Sequence, residues 1–312
     1  MTNWGILGLG KMGLTFANAI EEVSGSNLLS IASKSGKKFK NYENKSYDEV
    51  IKNENIDAVY ISTLNNTHIE LIKNLCDSKK NILCEKPVST SLHELDEVKK
   101  RIYESKIKFY EGIAYYSHPQ TNEFLELIKN GEIGEIREIN CNFGFKAKFK
   151  SDSRLFNKKL GGGAIFDLGC YPISFVMLFA NNPEKINIKH KELEFAPSGV
   201  DNDAKATLNC EDFECKIHVS LKRDLDNICK IYGSKGYINI ISPWLPGKTS
   251  QIEISSKKHF YIKNIKSNLS IYANQIKNVT EAFFEKNDSK IKLFDINKSL
   301  INMKLMENWL KN

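Results

Sequence analysis

Residues 4–23 read WGILGLGKMGLTFANAIEEV. An apolar run, Trp4 to Leu7, ends in glycines spaced Gly8-x-Gly10-x-x-Gly13, and a segment of helical periodicity follows. Each glycine has its own task in a strand–turn–helix of this kind. Gly8 permits the tight turn, Gly10 lets the backbone approach a pyrophosphate, and Gly13 lets the helix close on the strand. Lys11 and Met12 complete the loop, and the free N–H groups of the helix start face the anion. With a strand before it and a helix after it, the motif predicts a dinucleotide site on a doubly wound α/β fold.

Working outward, strand and helix patterns alternate. "NLLSIASKS" and "AVYISTLNN" read as strands. "THIELIKNLCDSKK" reads as an amphipathic helix, and "NILCEKP" as a third buried strand. "SLHELDEVKKRIYESK" reads as a helix opened by a Ser91-x-x-Glu94 capping box, and "IKFYEGIAYY" as a strand again. Repeated strand–helix–strand units predict an N-terminal Rossmann domain with a parallel sheet, residues 1–118. Beyond it the pattern changes to a helix, a glycine-rich turn at 161–163, and a series of alternating strands. Residues 119–312 are therefore expected to form an α+β domain with a large open, mostly antiparallel sheet and a closing C-terminal helix.

Composition narrows the function classes. The chain has 312 residues and 41% hydrophobic content, enough for sizeable cores in about two domains. No stretch approaches the roughly 20 apolar residues of a membrane span, and Met1–Trp4 carry no secretory pattern. A cytoplasmic protein is expected, with no membrane partner. Seven scattered cysteines without a C-x-x-C pair predict reduced, buried thiols and no metal site. The net charge of +7 reads along the chain as diffuse, which argues against a nucleic-acid partner and fits an anionic small molecule.

The end of the second strand bears on the cofactor. NAD sites place an acid there to hold the ribose diol. Here the stretch is "ASKSGKK", residues 32–38, without an acid. Ser33 and Ser35 offer hydroxyls, and Lys34, Lys37 and Lys38 offer positive charge. NADP(H) is therefore expected over NAD(H).

At residues 80–87, "KNILCEKP", the chain resembles the Gfo/Idh/MocA family, the group of glucose–fructose oxidoreductase and inositol dehydrogenase. The segments that carry the resemblance are "GILGLGKMG" (5–13), "VYISTLNNTH" (59–68), "EGIAYYSHPQ" (111–120), "IKNGEIGEI" (128–136), "LGGGAIFDLGCYPI" (160–173) and "GSKGYINI" (233–240). The resemblance implies that Lys86 sits at the nicotinamide and substrate and that Pro87 shapes the turn. It implies a second cluster in Asp167-Leu168-Gly169-Cys170-Tyr171. Tyr171 there stands as in members resembling dihydrodiol dehydrogenases, pentose dehydrogenases and nucleotide-sugar ketoreductases. Thr63, Asn65 and His68 are expected to flank the cofactor, and Glu85 to secure the turn. Two departures stand out: Tyr116 occupies an expected arginine position, and Leu64 an expected proline.

The chemistry so implied is hydride transfer at a carbon of a sugar, nucleotide-sugar or related polyol or cyclic alcohol. The partner proton requires a positioned acid or base. Tyr171 is assigned that proton, with Lys86 orienting the substrate oxygen, or the reverse; Asp167 orients substrate hydroxyls or Lys86. Tyr116, His118 and Arg154 are further substrate candidates, Arg154 reading equally as a surface ion pair. Two alternatives remain open: a non-catalytic dinucleotide-binding regulator, and a reductase of a tetrapyrrole or imine. A homodimer or homotetramer through the C-terminal sheet is expected.

Overall fold

The computed structural model describes residues 1–256, 259–284 and 292–311. The chain divides into two compact units, Met1–Ser117 with Leu269–Leu300 and His118–Asn268 with Ile301–Asn312.

The first unit is built on six strands: β1 (Thr2–Leu7), β2 (Ser26–Ala32), β3 (Asn44–Lys45), β4 (Ala58–Ile61), β5 (Asn81–Cys84) and β6 (Phe109–Glu111). Their order is β3-β2-β1-β4-β5-β6, with every pair parallel. This is the doubly wound arrangement, in which the order reverses between β1 and β4 and ligands gather at the strand C-terminal ends. Helices α1 (Lys11–Ala19), α2 (Tyr47–Lys52), α3 (His68–Asp77) and α4 (Leu92–Ser105) lie between the strands. β4 is buried at all four positions, as a strand covered on both faces must be.

Three details differ from the sequence reading. Residues 107–116 were expected as one strand. Only Phe109–Glu111 pair, because the Ile113 N–H turns back to the Glu111 carbonyl and a 3₁₀ turn follows at Ala114–Ser117. A reciprocal capping box forms at Ser46 and Glu49, opening α2. At Ser91 the hydroxyl accepts from the Glu94 N–H at 3.4 Å. Finally, α7 (Ile271–Phe284) belongs to the first unit. Its buried side chains Ala273, Ile276, Val279 and Ala282 join Trp4, Phe16 and Ile20 in one apolar cluster. Helical periodicity shows that such a face is apolar, but not which sheet it covers.

The second unit holds β7 (Ile136–Gly144), β8 (Asn187–Phe195), β9 (Asp201–Asn209), β10 (Glu214–Ser220), β11 (Ile228–Gly233), β12 (Gly236–Ile241), β13 (Thr249–Ser256) and β14 (Phe260–Lys266). They form one sheet ordered β14-β13-β12-β11-β7-β10-β9-β8. β7 and β10 pair in parallel, and the other neighbours are antiparallel. Helix α5 (Pro119–Lys129) opens the unit and α6 (Cys170–Val176) follows the glycine-rich turn. The C-terminal helix α8 (Ile296–Leu310) brings Trp309, fully buried, against Gly169, where an added Cβ would meet the indole at 3.1 Å. All seven cysteines are buried free thiols.

Candidate active site

In the first unit the site begins at the glycine loop. Gly8 has φ +95°, and a Cβ there would come within 2.8 Å of the Ser62 carbonyl oxygen. A Cβ on Gly13 would fall 2.1 Å from the Gly8 carbonyl oxygen, so the helix rests directly on the loop. Gly10 differs from both. Its φ of −74° suits any residue, and a Cβ there would meet nothing within 4 Å. The protein's own packing leaves open space beside Gly10, where a ligand can approach the backbone. Helix α1 starts at that point with no side-chain cap and no acid in its first turn. Its orphan N–H groups and dipole favour an anion, and these residues fit a dinucleotide pyrophosphate.

At the end of β2 the turn is fixed by Asn44. Its amide accepts from the Ser33 N–H at 2.7 Å and donates to the Ser33 carbonyl at 3.0 Å. The Ser33 and Ser35 hydroxyls are 3.0 Å apart, and Lys34 stands 5.4 Å from the centroid of the Tyr47 ring. Lys34, Lys37 and Lys38 are exposed.

β5 delivers the Glu85-Lys86-Pro87 turn at its carboxyl end. Glu85 is buried, accepts the Tyr60 hydroxyl, and lies 3.3 Å from the Lys86 N–H. The Tyr60 ring stacks on Phe16 of α1 with centroids 4.0 Å apart. One tyrosine thus ties the helix of the phosphate loop to the turn that presents Lys86. The Lys86–Pro87 peptide is cis. Buried His68 reaches the Pro87 carbonyl with Nδ1 at 3.1 Å and the Thr63 carbonyl with Nε2 at 3.3 Å. Burial lowers its pKa to about 4, so the ring is neutral at neutral pH and its single N–H donates to one of the two carbonyls. Thr63 receives the Thr67 hydroxyl at 2.7 Å, and Asn65 opens a short 3₁₀ turn ahead of α3.

Two residues of this surround escaped the sequence reading. Glu111, 2% exposed at the end of β6, accepts the Val88 N–H at 3.1 Å and so fixes the far side of the turn. Tyr272 on α7 has its pKa pushed up to about 12, by burial first and then by the Glu85 charge, with Lys86 opposing. A carboxylate closing an apolar strand was the available signal for Glu111. Tyr272 offered none.

Glu111 makes stability depend on pH. Burial raises its pKa from 4.5 to about 7, the Glu85 charge adding to the shift, while the Val88 hydrogen bond and Lys86 oppose it. An acid with a raised folded pKa supports folding fully below about pH 4.5, its unfolded value. That support is lost as pH climbs through 7. Glu111→Gln keeps an acceptor for Val88 and removes the loss. Its stability relative to the parent should rise between pH 4.5 and 8, by on the order of 3 kcal/mol. Denaturant melts across that range check it; a flat difference would contradict it.

In the second unit, Asp167 and Tyr171 lie four residues apart on one continuous helical run. That run is a π-helical turn, Ile165–Gly169, passing into α6. Such turns are rare and gather at functional sites. Asp201, which the sequence reading missed, accepts the Ile165 N–H at 2.7 Å and holds the start of the run. Gly163, at φ +124°, leaves that carboxylate its place, since a Cβ would lie 2.2 Å from Asp201 Oδ1. Burial raises the Asp201 pKa to about 6. Asp167 is 7% exposed and pairs with Arg154, Nη1 to Oδ1 at 2.9 Å. Tyr171, 8% exposed, meets Phe143 edge-on at 5.4 Å and lies 6.2 Å from Trp244.

Two candidates sit deeper than expected for substrate contacts. Tyr116 is 2% exposed within the first unit, edge-on to Phe294 at 5.3 Å and to Tyr115 at 5.1 Å. His118 is fully buried in the second unit and caps α5, its Nδ1 accepting the Gln120 N–H at 3.1 Å. An aromatic side chain in place of a charged arginine turns inward because apolar burial favours it.

Residues 2–113 match the oxidoreductase family with an NAD-binding Rossmann fold, and residues 122–239 match the GFO/IDH/MocA C-terminal domain. An uncharacterised oxidoreductase, ORF334 of Rhizobium meliloti, is 30% identical over 64% of this chain and 60% of its own length. Trans-1,2-dihydrobenzene-1,2-diol dehydrogenase of Xenopus tropicalis is 28% identical over 84% of this chain and 81% of its own. Among solved structures, KijD10, a 3-ketoreductase from Actinomadura kijaniata in complex with NADP and TDP-benzene, superposes with a TM-score of 0.86. That match covers 98% of this chain and 96% of KijD10 at 20% identity.

Proposed function

The chain belongs to the Gfo/Idh/MocA family of NAD(P)-binding oxidoreductases, and from that premise we propose that its substrate is a sugar, a nucleotide-linked sugar or a related polyol or cyclic alcohol. When bound, the nicotinamide supplies or accepts the hydride. Lys86 and Tyr171 handle the proton at the substrate oxygen, and Asp167 orients substrate hydroxyls.

One observation carries the reading. Lys86 stands at the carboxyl end of a parallel strand, on a turn held from three sides by Tyr60–Glu85, His68 and Glu111. A lysine on a turn whose backbone is held this firmly is suited to use at a ligand rather than at the surface. The relatives' named reactions on diols and ketosugars support the substrate class. Tyr171→Phe removes the phenol alone. It is expected to lower kcat by about 10²-fold with NADPH affinity unchanged. Full activity in that variant, assayed at 340 nm on a sugar and diol panel, would take Tyr171 out of the chemistry.

We further propose NADP(H) as the preferred cofactor. Ser33 and Lys34 at the end of β2 suit a 2′-phosphate, and the turn bears no acid to repel it. Ser33→Asp puts a carboxylate where a ribose diol would be gripped. The ratio of NADPH to NADH affinity should fall by roughly 10-fold or more, by analogy with a like charge set against the phosphate. An unchanged ratio would remove this stretch from cofactor selection. The open sheet of the second unit is proposed as the contact between subunits.

A further inference from the structure

The charge excess that reads as diffuse along the chain is concentrated in one place. Residues 145–160, "FKAKFKSDSRLFNKKL", carry Lys146, Lys148, Lys150, Arg154, Lys158 and Lys159 against Asp152, a net +5 of the chain's +7. This strap runs from the end of β7 to the glycine turn at 161–163.

Its backbone is held at both ends. The Phe145 and Ala147 N–H groups donate to the Ser220 and Leu221 carbonyls at 3.0 and 2.9 Å, prolonging the pairing of β7 with β10. The Lys146 N–H donates to Asp224. In such a segment alternate side chains take opposite sides, which puts Lys146 and Lys148 on one side, with Lys150 next in the alternation. The chain then turns: Phe149 packs edge-on to Phe156 at 5.0 Å, and the Gly163 N–H donates to the Leu155 carbonyl at 2.9 Å. At this turn Arg154, its side chain 57% exposed, pairs with Asp167.

Eight other lysines of this unit, Lys189 and Lys216 among them, meet glutamates. Lys146, Lys148, Lys150, Lys158 and Lys159 are all exposed, and among the described residues none has an ion-pair partner. Like charges assembled on a fixed backbone repel one another until an anion joins them.

We infer that this strap is a phosphate-binding subsite, and that the substrate carries its phosphate as a sugar phosphate or a nucleotide-linked sugar. The inference rests on the proposed reaction and narrows its substrate from the whole class of sugars, polyols and cyclic alcohols to the phosphorylated ones. Arg154 joins the two parts. With a phosphate on the strap, its guanidinium has a second anion to share, which loosens its hold on Asp167 as the sugar arrives.

The test uses the NADPH-saturated protein and calorimetric titration with UDP, glucose 6-phosphate and uncharged myo-inositol. UDP or glucose 6-phosphate should bind, more weakly as salt rises, and the tighter of the two identifies the source of the phosphate. The triple variant Lys146→Gln/Lys148→Gln/Lys150→Gln should weaken that binding by about tenfold, since three exposed ion contacts are lost. Its melting temperature and NADPH affinity should not move. The inference is overturned if neither phosphate binds, if the triple variant binds as the parent does, or if NADPH affinity falls in step, which would assign the strap to the cofactor. A parent that binds no phosphate yet reduces neutral substrates would sink this inference while leaving the proposed reaction standing.

Discussion

Replacing Lys86 with alanine is expected to lower turnover by about 10²–10⁴-fold while NADPH binds within a few-fold of the parent. The size follows from the task, because a positioned acid or base next to the reacting oxygen supplies that much. The selectivity follows from the structure. The backbone of the turn is held by groups that alanine leaves in place: Glu85 with the Tyr60 hydroxyl, the Pro87 carbonyl with His68, and the Val88 N–H with Glu111. The glycine loop lies on another strand end and is untouched. Stopped-flow turnover beside fluorescence titration of NADPH separates the two effects. If both fell together, Lys86 would be a cofactor ligand first; if neither fell, the site would lie elsewhere.

The second large effect is a contrast between two glycines. Gly13→Ala forces a Cβ to 2.1 Å from the Gly8 carbonyl, a backbone atom that cannot step aside. Helix and loop must separate, so both stability and dinucleotide binding should suffer. Overpacking of this kind costs about 1–3 kcal/mol or more, a drop of several degrees in melting temperature. Gly10→Ala adds a Cβ with no neighbour within 4 Å at an ordinary φ, so the melting temperature should stay put. Yet the methyl group enters the space left for the pyrophosphate, and NADPH affinity should fall at least tenfold. Thermal melts with NADPH titrations of both variants decide it. A Gly10→Ala protein that binds NADPH normally would break the assignment of that loop to the phosphates.

Much of the first unit was legible because its chemistry is local. The glycine spacing, the buried run Ala58–Ile61 and the lysine on a strand end each announce themselves within ten residues. What stayed hidden depends on long-range placement. Tyr60 reads as one more apolar strand residue, and only the fold sets its ring on Phe16 and its hydroxyl on Glu85. Asp201 lies 36 positions from the Ile165 N–H that it caps. Helix α7 shows an apolar face in sequence, yet periodicity does not say that Trp4 lies across from it. The burial of Tyr116 has a related origin, since only the fold brings Phe294 edge-on to its ring. The basic strap was overlooked because charge was read over the whole chain instead of in a window of sixteen residues.

In the reaction proposed for this protein, a hydride moves between a nicotinamide and a substrate carbon. The most direct measurement is transfer of deuterium from NADPH labelled at C4 to a carbonyl substrate of the panel, followed by mass spectrometry of the product. The parent protein should give a product with one deuterium bound to carbon, and Lys86→Ala should suppress its formation. A product formed without the label, or one formed equally well by Lys86→Ala, would contradict it.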